Sequence, residues 1–173
     1  GKFLSAVSKK KRKYMTPASS LSPPPIPPRI LAPAGSRASF LAALAAGADG
    51  VYCGLRQFSA RMEAKNFTLP ELAALTQLAH GRGVEVYVAL NSLLTTRDLD
   101  QAAGLVDAVV STVQPDALII QDVGLIPLAR RAGFKGEMIL STLANVAFPA
   151  ALQWVRDKLG VDQVVLPREL DID

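Results

Sequence analysis

Cysteine is nearly missing from this chain: Cys53 stands alone among 173 residues. One thiol excludes an internal disulfide, and it cannot assemble a thiolate metal cluster, which takes about three or four such ligands. Histidine is as scarce. His80 is the only one, in LAHGRG at the end of a helical segment, where the helix terminus explains it better than catalysis does. The sequence therefore gives no support to a Ser-His-Asp or Cys-His arrangement. Long apolar runs are missing too. The longest, FLAALAAGA at 40–48, falls far short of the roughly 18–20 residues of a membrane span. A soluble chain with no membrane partner, in a reducing cytoplasmic setting, is expected.

Acidic residues are absent before Asp49, whereas Lys2, Lys9, Lys10, Lys11, Arg12, Lys13, Arg29 and Arg37 all precede it. The net charge of +4 thus belongs to the N-terminal part, and the remainder is mildly acidic. The isoelectric point gives no argument for nucleic-acid affinity of the folded part; only KKKRK at 9–13 offers phosphate contacts or a localisation signal. Residues 1–28 close on SPPPIPP, whose prolines remove backbone donors and favour extended chain. They are expected to form a disordered basic, proline-rich tail ahead of one folded domain at 29–173. Met15 is a plausible initiator, and a Ser-rich, acid-poor tail also fits an organellar transit peptide.

From Arg29 onward, short apolar runs alternate with longer segments of helical period. Strands are expected at RILAP (29–33), DGVYCG (49–54), VEVYVAL (84–90), DALIIQ (116–121), EMILST (137–142) and DQVVLP (162–167). Helices are expected between them. Ser36 can cap the first, Thr68 and Glu71 have capping-box spacing for the second, and Thr95 and Asp98 repeat it for the third. The second helix should run to about Arg82 and stop at Gly83, the third should reach about Val113, and short helices follow at 125–133 and 147–160. GADGVY, QPDALII and GVDQVVL share one design, with Asp opening an apolar strand. Strands without alternation imply a sheet covered on both faces, and helical crossovers imply parallel pairing. APAGSRAS carries one glycine where a doubly wound dinucleotide fold would have several. The expected fold is α/β, an incomplete TIM-type (β/α) barrel of five βα units and a sixth parallel strand, with two edge strands left open.

In such an array the strand C-termini share one rim. It carries Gly35, Gly54, the 57–67 loop, Asn91, Ser92, Gln121, Asp122, Ser141, Thr142, Arg168 and Glu169. Capping is the alternative for Asp122, for Asn145 ahead of the fifth helix, and for Thr95. In the loop QFSARMEAKNF, Arg61 joins Arg56 as a planar donor and Asn66 offers a bidentate amide. That combination suits a carboxylate, a phosphate or a base. Phe67, just before Thr68, stands where a hydrophobic staple belongs. Cys53 closes a strand with no visible base beside it and reads as a small buried hydrophobe.

LAPAG at 31–35, GADGVYCG at 47–54, FSAR and AKNF within 58–67, AHGRGVEVYVALN at 79–91, DALIIQDVG at 116–124 and VVLPREL at 164–170 together resemble the collagenase-like peptidase family of unassigned mechanism. That family also includes RNA and ubiquinone hydroxylation proteins. The resemblance implies a barrel-like N-terminal domain and either of two activities: peptide hydrolysis, or oxygen-independent hydroxylation of tRNA, ribosomal RNA or quinone precursors. Some relatives use an iron–sulfur cluster and prephenate. It carries over Arg61, Asn66, Asn91, Asp122, Ser141 and Glu169 as mouth residues, with individual roles unassigned. RNA base hydroxylation fits better, because no peptidase nucleophile is apparent; the peptidase and a non-catalytic binding half-barrel are the alternatives. Two departures stand out. Leu143 replaces the glutamine of the family's STQ, and the cysteine-rich signature expected after the sixth strand is absent. The expectation is therefore no cofactor in this chain and an iron–sulfur cluster only in a full-length protein. The expected ligand is RNA or a small prephenate-like anion. The missing C-terminal barrel part or a partner chain would be needed for activity.

Overall fold

In the computed structural model, residues 28–56 and 66–168 are described. The expected tail at 1–28, apart from Pro28, and the site candidates Arg61 and Glu169 lie outside them. Six strands form one parallel sheet in strict chain order: β1 (Leu31–Ala34), β2 (Gly50–Gly54), β3 (Glu85–Leu90), β4 (Ala117–Ile120), β5 (Glu137–Leu140) and β6 (Gln163–Val164). Five α-helices alternate with them: α1 (Arg37–Ala45), α2 (Leu69–His80), α3 (Leu99–Ala108), α4 (Leu125–Arg131) and α5 (Pro149–Leu159).

Side-chain alternation shows where the helices lie. Val51, Cys53, Val86, Val88, Leu90, Leu118, Ile120, Met138 and Leu140 share one buried cluster with Phe40, Leu72, Leu105, Ile126 and Val155, which come from all five helices. The intervening strand residues Tyr87, Ala117 and Ile139 form a separate small cluster with Tyr52 and Ile119. Because successive strand side chains point to opposite faces, every helix packs on the same side of the sheet. Sequential order with helices on one face is how a (β/α) barrel progresses; a doubly wound sheet reverses strand order and covers both faces. Among the described residues the sheet is not closed, since β1 and β6 pair only inward. Among the described residues helices cover one face, so the covering of both faces expected from the apolar strands is met on that side alone. The second face carries Glu85 and Glu137 at one end, and a closed barrel would cover it with opposing strands.

Local chemistry sets the element ends. Ser36 Oγ accepts from the Ser39 backbone N–H, and Ser39 Oγ accepts from the Ser36 N–H, a complete capping box. Thr68 Oγ1 accepts from the Glu71 N–H at 3.4 Å, so half of the box expected at α2 is present. Asp98 Oδ2 accepts from both the hydroxyl and the backbone N–H of Thr95; these bonds, the hydroxyl first, hold its carboxyl below the usual carboxylate range. The chain leaves α2 by turning at Gly83, whose φ of +71° only glycine adopts without strain, while the Val84 N–H returns to the Ala79 carbonyl. Two differences from expectation appear. The third helix winds its last residues, Val109–Val113, as a π-turn ending on left-handed Gln114. Asn145 does not cap α5; it is left-handed at the end of a short 3-10 turn, and Phe148 holds the cap position without a side-chain bond.

Candidate functional site

The C-terminal ends of the strands bring three polar residues into one row. Leu90, Ile120 and Leu140 are mutual register partners, and the ladder continues one residue on, with the Ser141 N–H donating to the Ile120 carbonyl at 2.7 Å. Asn91, Gln121 and Ser141 therefore stand side by side. Their predecessors pack toward the helices, so alternation sends these three toward the face of the sheet opposite the helices. Arg56 continues the row from β2, two residues after Gly54, which pairs with Ala89. Its backbone N–H donates to the Phe67 carbonyl, and its Nε donates to the Asn66 carbonyl at 2.9 Å. These bonds and the Leu55–Phe67 bridge fix the end of the 57–67 loop, at Asn66 and Phe67, against the rim. Phe67 is buried edge-on against Phe40, with ring centroids 6.0 Å apart, which anchors the loop in the core.

The expected site residues divide accordingly. Asn66 is buried beside Arg56, and Ser141 is buried with its Oγ accepting from the Leu143 N–H at 3.3 Å. Asn91 has a buried side-chain oxygen that meets no donor among the described residues, a costly state for an amide. Asp122 lies on the same rim, but both its oxygens are engaged: Oδ2 accepts from the Leu94 N–H at 3.0 Å and Oδ1 from the Gly124 N–H at 2.8 Å. It ties the loop after β3 to the loop after β4. Gln121, one residue earlier, holds the place in the row, and its position directly after an apolar strand is the signal for it. Arg168 is exposed after β6.

Neither potential nucleophile partner reaches this rim. Cys53 is buried in the helix-side layer, its Sγ 3.8 Å from the Tyr87 carbonyl oxygen, and burial pushes the thiol up to about 12. His80 lies at the opposite end of the sheet, with Nε2 2.9 Å from Asp116 Oδ2. An iron–sulfur cluster takes about four thiolates, and the single buried Cys53 does not fit that need. Among the described residues no group of three His, Cys, Asp or Glu side chains could hold a metal ion. No helix among them is long and apolar enough to cross a membrane.

The opposite end explains the repeated aspartates. Asp49, Asp116 and Asp162 each precede an even-numbered strand. Each donates its N–H to a residue of the preceding odd strand, or just before it, and takes that residue's N–H on its carboxylate: Ile30 at 2.7 Å, Val86 at 2.7 Å and Met138 at 2.8 Å. These are three copies of one two-bond clamp. A polar groove of about 320 Å³ runs here between Glu85, Tyr87, Asp116, Arg130, Glu137 and Asp162. In β/α barrels this end serves stability, and chemistry gathers at the other.

A one-sided parallel β/α array with its polar row at the strand C-termini defines a barrel-type domain. Residues 35–173 match Peptidase family U32, and the chain belongs to that family. It is 34% identical over 145 residues to a protein of Porphyromonas gingivalis named collagenase, covering 83% of this chain and 34% of that one. It is 34% identical over 146 residues to the tRNA hydroxylation protein P of Haemophilus influenzae, covering 84% and 31%. It is 35% identical over 144 residues to the 23S rRNA 5-hydroxycytidine C2501 synthase of Escherichia coli, covering 83% and 21%. The chain thus spans about a third or less of the length of these curated relatives. A solved U32 peptidase superposes over 80% of this chain and 57% of its own, with a TM-score of 0.65 at 16% identity, a likeness of fold.

Proposed function

We propose that this chain supplies the substrate-facing rim of an RNA base hydroxylation protein acting on tRNA or ribosomal RNA. The observation that carries the reading is the separation of the chain's chemistry. The mouth offers amides, a hydroxyl and a guanidinium, which suit a nucleobase edge or an anionic metabolite. The groups a peptidase of the Cys-His type would need are a thiol turned into the helix layer and an imidazole at the far end of the sheet. Relatives named for tRNA and 23S rRNA hydroxylation match as much of the chain as the one named collagenase.

The test is nucleoside mass spectrometry of tRNA and 23S rRNA from a bacterial strain deleted for its own hydroxylation proteins. The strain would carry this gene together with the C-terminal part of a family relative. Reappearance of a hydroxylated pyrimidine, with no cleavage of denatured collagen by the purified protein, is expected. Collagen cleavage with no change in the RNA would overturn the reading.

A further inference from the structure

Around the polar row, large apolar side chains stand in water on loops whose backbone is tied down. Leu93 in the loop after β3, Val123 in the loop after β4, and Leu143 and Phe148 in the loop after β5 are all exposed, Leu93 at 71% and Phe148 at 61%. Their neighbours Leu94, Ala144 and Val146 pack down on the core, which leaves Leu93 and Leu143 on the outer side. Asp122 takes the N–H groups of Leu94 and Gly124, the residues that follow Leu93 and Val123, on one carboxylate. Ser141 Oγ takes the Leu143 N–H, and the Ser141 N–H bonds the Ile120 carbonyl, so the loops after β4 and β5 leave the sheet side by side. Phe148 precedes Pro149, and its carbonyl accepts the Ala151 and Leu152 amides of α5. Apolar side chains on slack loops fold away from water; these are held out in it. A fixed apolar collar around polar groups is the mark of a contact surface. Leu78 and Trp154, exposed singly on helix flanks, need no such account.

Charge selects the occupant. The carboxylates of these loops are already engaged, Asp122 by its two amides and Asp98 by the hydroxyl and N–H of Thr95. Arg56 and Arg97 are exposed, and among the described residues neither forms an ion pair. The unspent charge of the rim is therefore cationic. An apolar peptide would use the collar and leave the guanidinium groups and the amides of Asn91 and Gln121 without partners. Single-stranded RNA uses all three: phosphates meet arginine, the edge of a splayed base meets amides, and the neighbouring bases rest on apolar and aromatic side chains. We propose that Leu93, Val123, Leu143 and Phe148 form a platform for the bases flanking the nucleotide that the polar row holds, with Phe148 stacking on one of them and Arg97 meeting the phosphate chain. This rests on the RNA reading above and adds that the substrate is recognised as an unstacked single strand.

The test titrates the 173-residue chain against a fluorescein-labelled pyrimidine RNA of about nine nucleotides, and against the same RNA annealed to its complement, by fluorescence anisotropy. Binding at least about tenfold tighter to the single strand is expected. Phe148→Ala and Leu93→Ser should each weaken it at least about fivefold, and Phe148→Tyr should keep it within about twofold. Trp154→Ala, about 9 Å further along α5, should leave it unchanged, and all four variants should melt within about 2 °C of the parent. Arg97→Gln should weaken binding and lower its salt slope by about 0.7. Equal affinity for the two RNA forms, or collar variants that bind like the parent, overturns the proposal. So does a failure to bind RNA, or binding of denatured collagen that the same variants weaken, which would make the occupant a peptide. In the deletion strain, full hydroxylation by the Phe148→Ala and Leu93→Ser forms would end the platform and leave the RNA reading standing, whereas no hydroxylation by the parent chain counts against that reading itself.

Discussion

Cys53 shows how one side chain's position sets its chemistry. Packed between β2 and the helices, it has a thiol pushed from near 9 to about 12 by burial. Alkylation by iodoacetamide at pH 8 should therefore be at least a hundredfold slower in the native chain than in urea-unfolded chain, read by mass spectrometry. The sign of the pH dependence follows. The folded thiol keeps its proton while the unfolded one loses it above about 9, so Cys53 stabilises fully below that pH. Its contribution is lost between about pH 9 and 12, by up to ~1.4 kcal/mol per pH unit. Tyr87, pushed up to about 12 by burial and by its bond to Glu85, adds to the same alkaline loss. Cys53→Ala and Tyr87→Phe should each flatten the fall in melting temperature over that range. Asp122 makes the opposite point. Its carboxylate is spent on two backbone amides, so Asp122→Ala should cost about 1–3 kcal/mol in urea unfolding, while Gln121→Ala, half-buried on the same rim, should cost less, under about 1 kcal/mol.

Among the elements, the aspartate clamps do the work of register. Each satisfies an N–H that the odd strand would otherwise leave bare at its start. Asp116→Ala should destabilise by about 1–3 kcal/mol, and Asp116→Asn, which keeps an acceptor, should recover most of that. His80→Ala should cost less than Asp116→Ala, because it leaves the Val86 bond intact. Gly136 sits where a Cβ would run into the Asp116 carbonyl oxygen and the Phe134 ring. Gly136→Ala should therefore cost about 2–3 kcal/mol by pushing β5 away from the carbonyl that receives its first amide. The echo among GADGVY, QPDALII and GVDQVVL is legible in the sequence, but its meaning is not. Only the paired strands reveal that Asp49, Asp116 and Asp162 reach backward to bind Ile30, Val86 and Met138.

At the scale of the whole molecule, the two ends of the sheet should separate function from stability. In a barrel completed by family polypeptide, Asn91→Ala, Gln121→Ala and Arg56→Ala are each expected to lower RNA hydroxylation at least tenfold, read by nucleoside mass spectrometry, with melting temperatures within a few degrees of the parent. Asp49→Ala and Asp162→Ala at the far end should show the reverse, lower stability with hydroxylation per folded molecule unchanged. Equal activity losses from both sets would remove the basis for assigning the mouth.

By itself the sequence determined the six strands and five helices in their order, the parallel pairing, the burial of Cys53 and the place of His80 at a helix end away from the strand C-termini. These follow from short-range causes: apolar periodicity, capping residues such as Ser36, and glycines such as Gly83 that stop a helix. What only the tertiary structure decided is which polar rim residues meet and which are already occupied. Asp122 and Gln121 are neighbours in sequence, and the turn that bonds Asp122 to the Gly124 N–H leaves its second oxygen unassigned. The Leu94 amide that engages Asp122 comes from the loop after a different strand. Hydrogen bonds between segments distant in the chain depend on register, and register exists only once the sheet has formed.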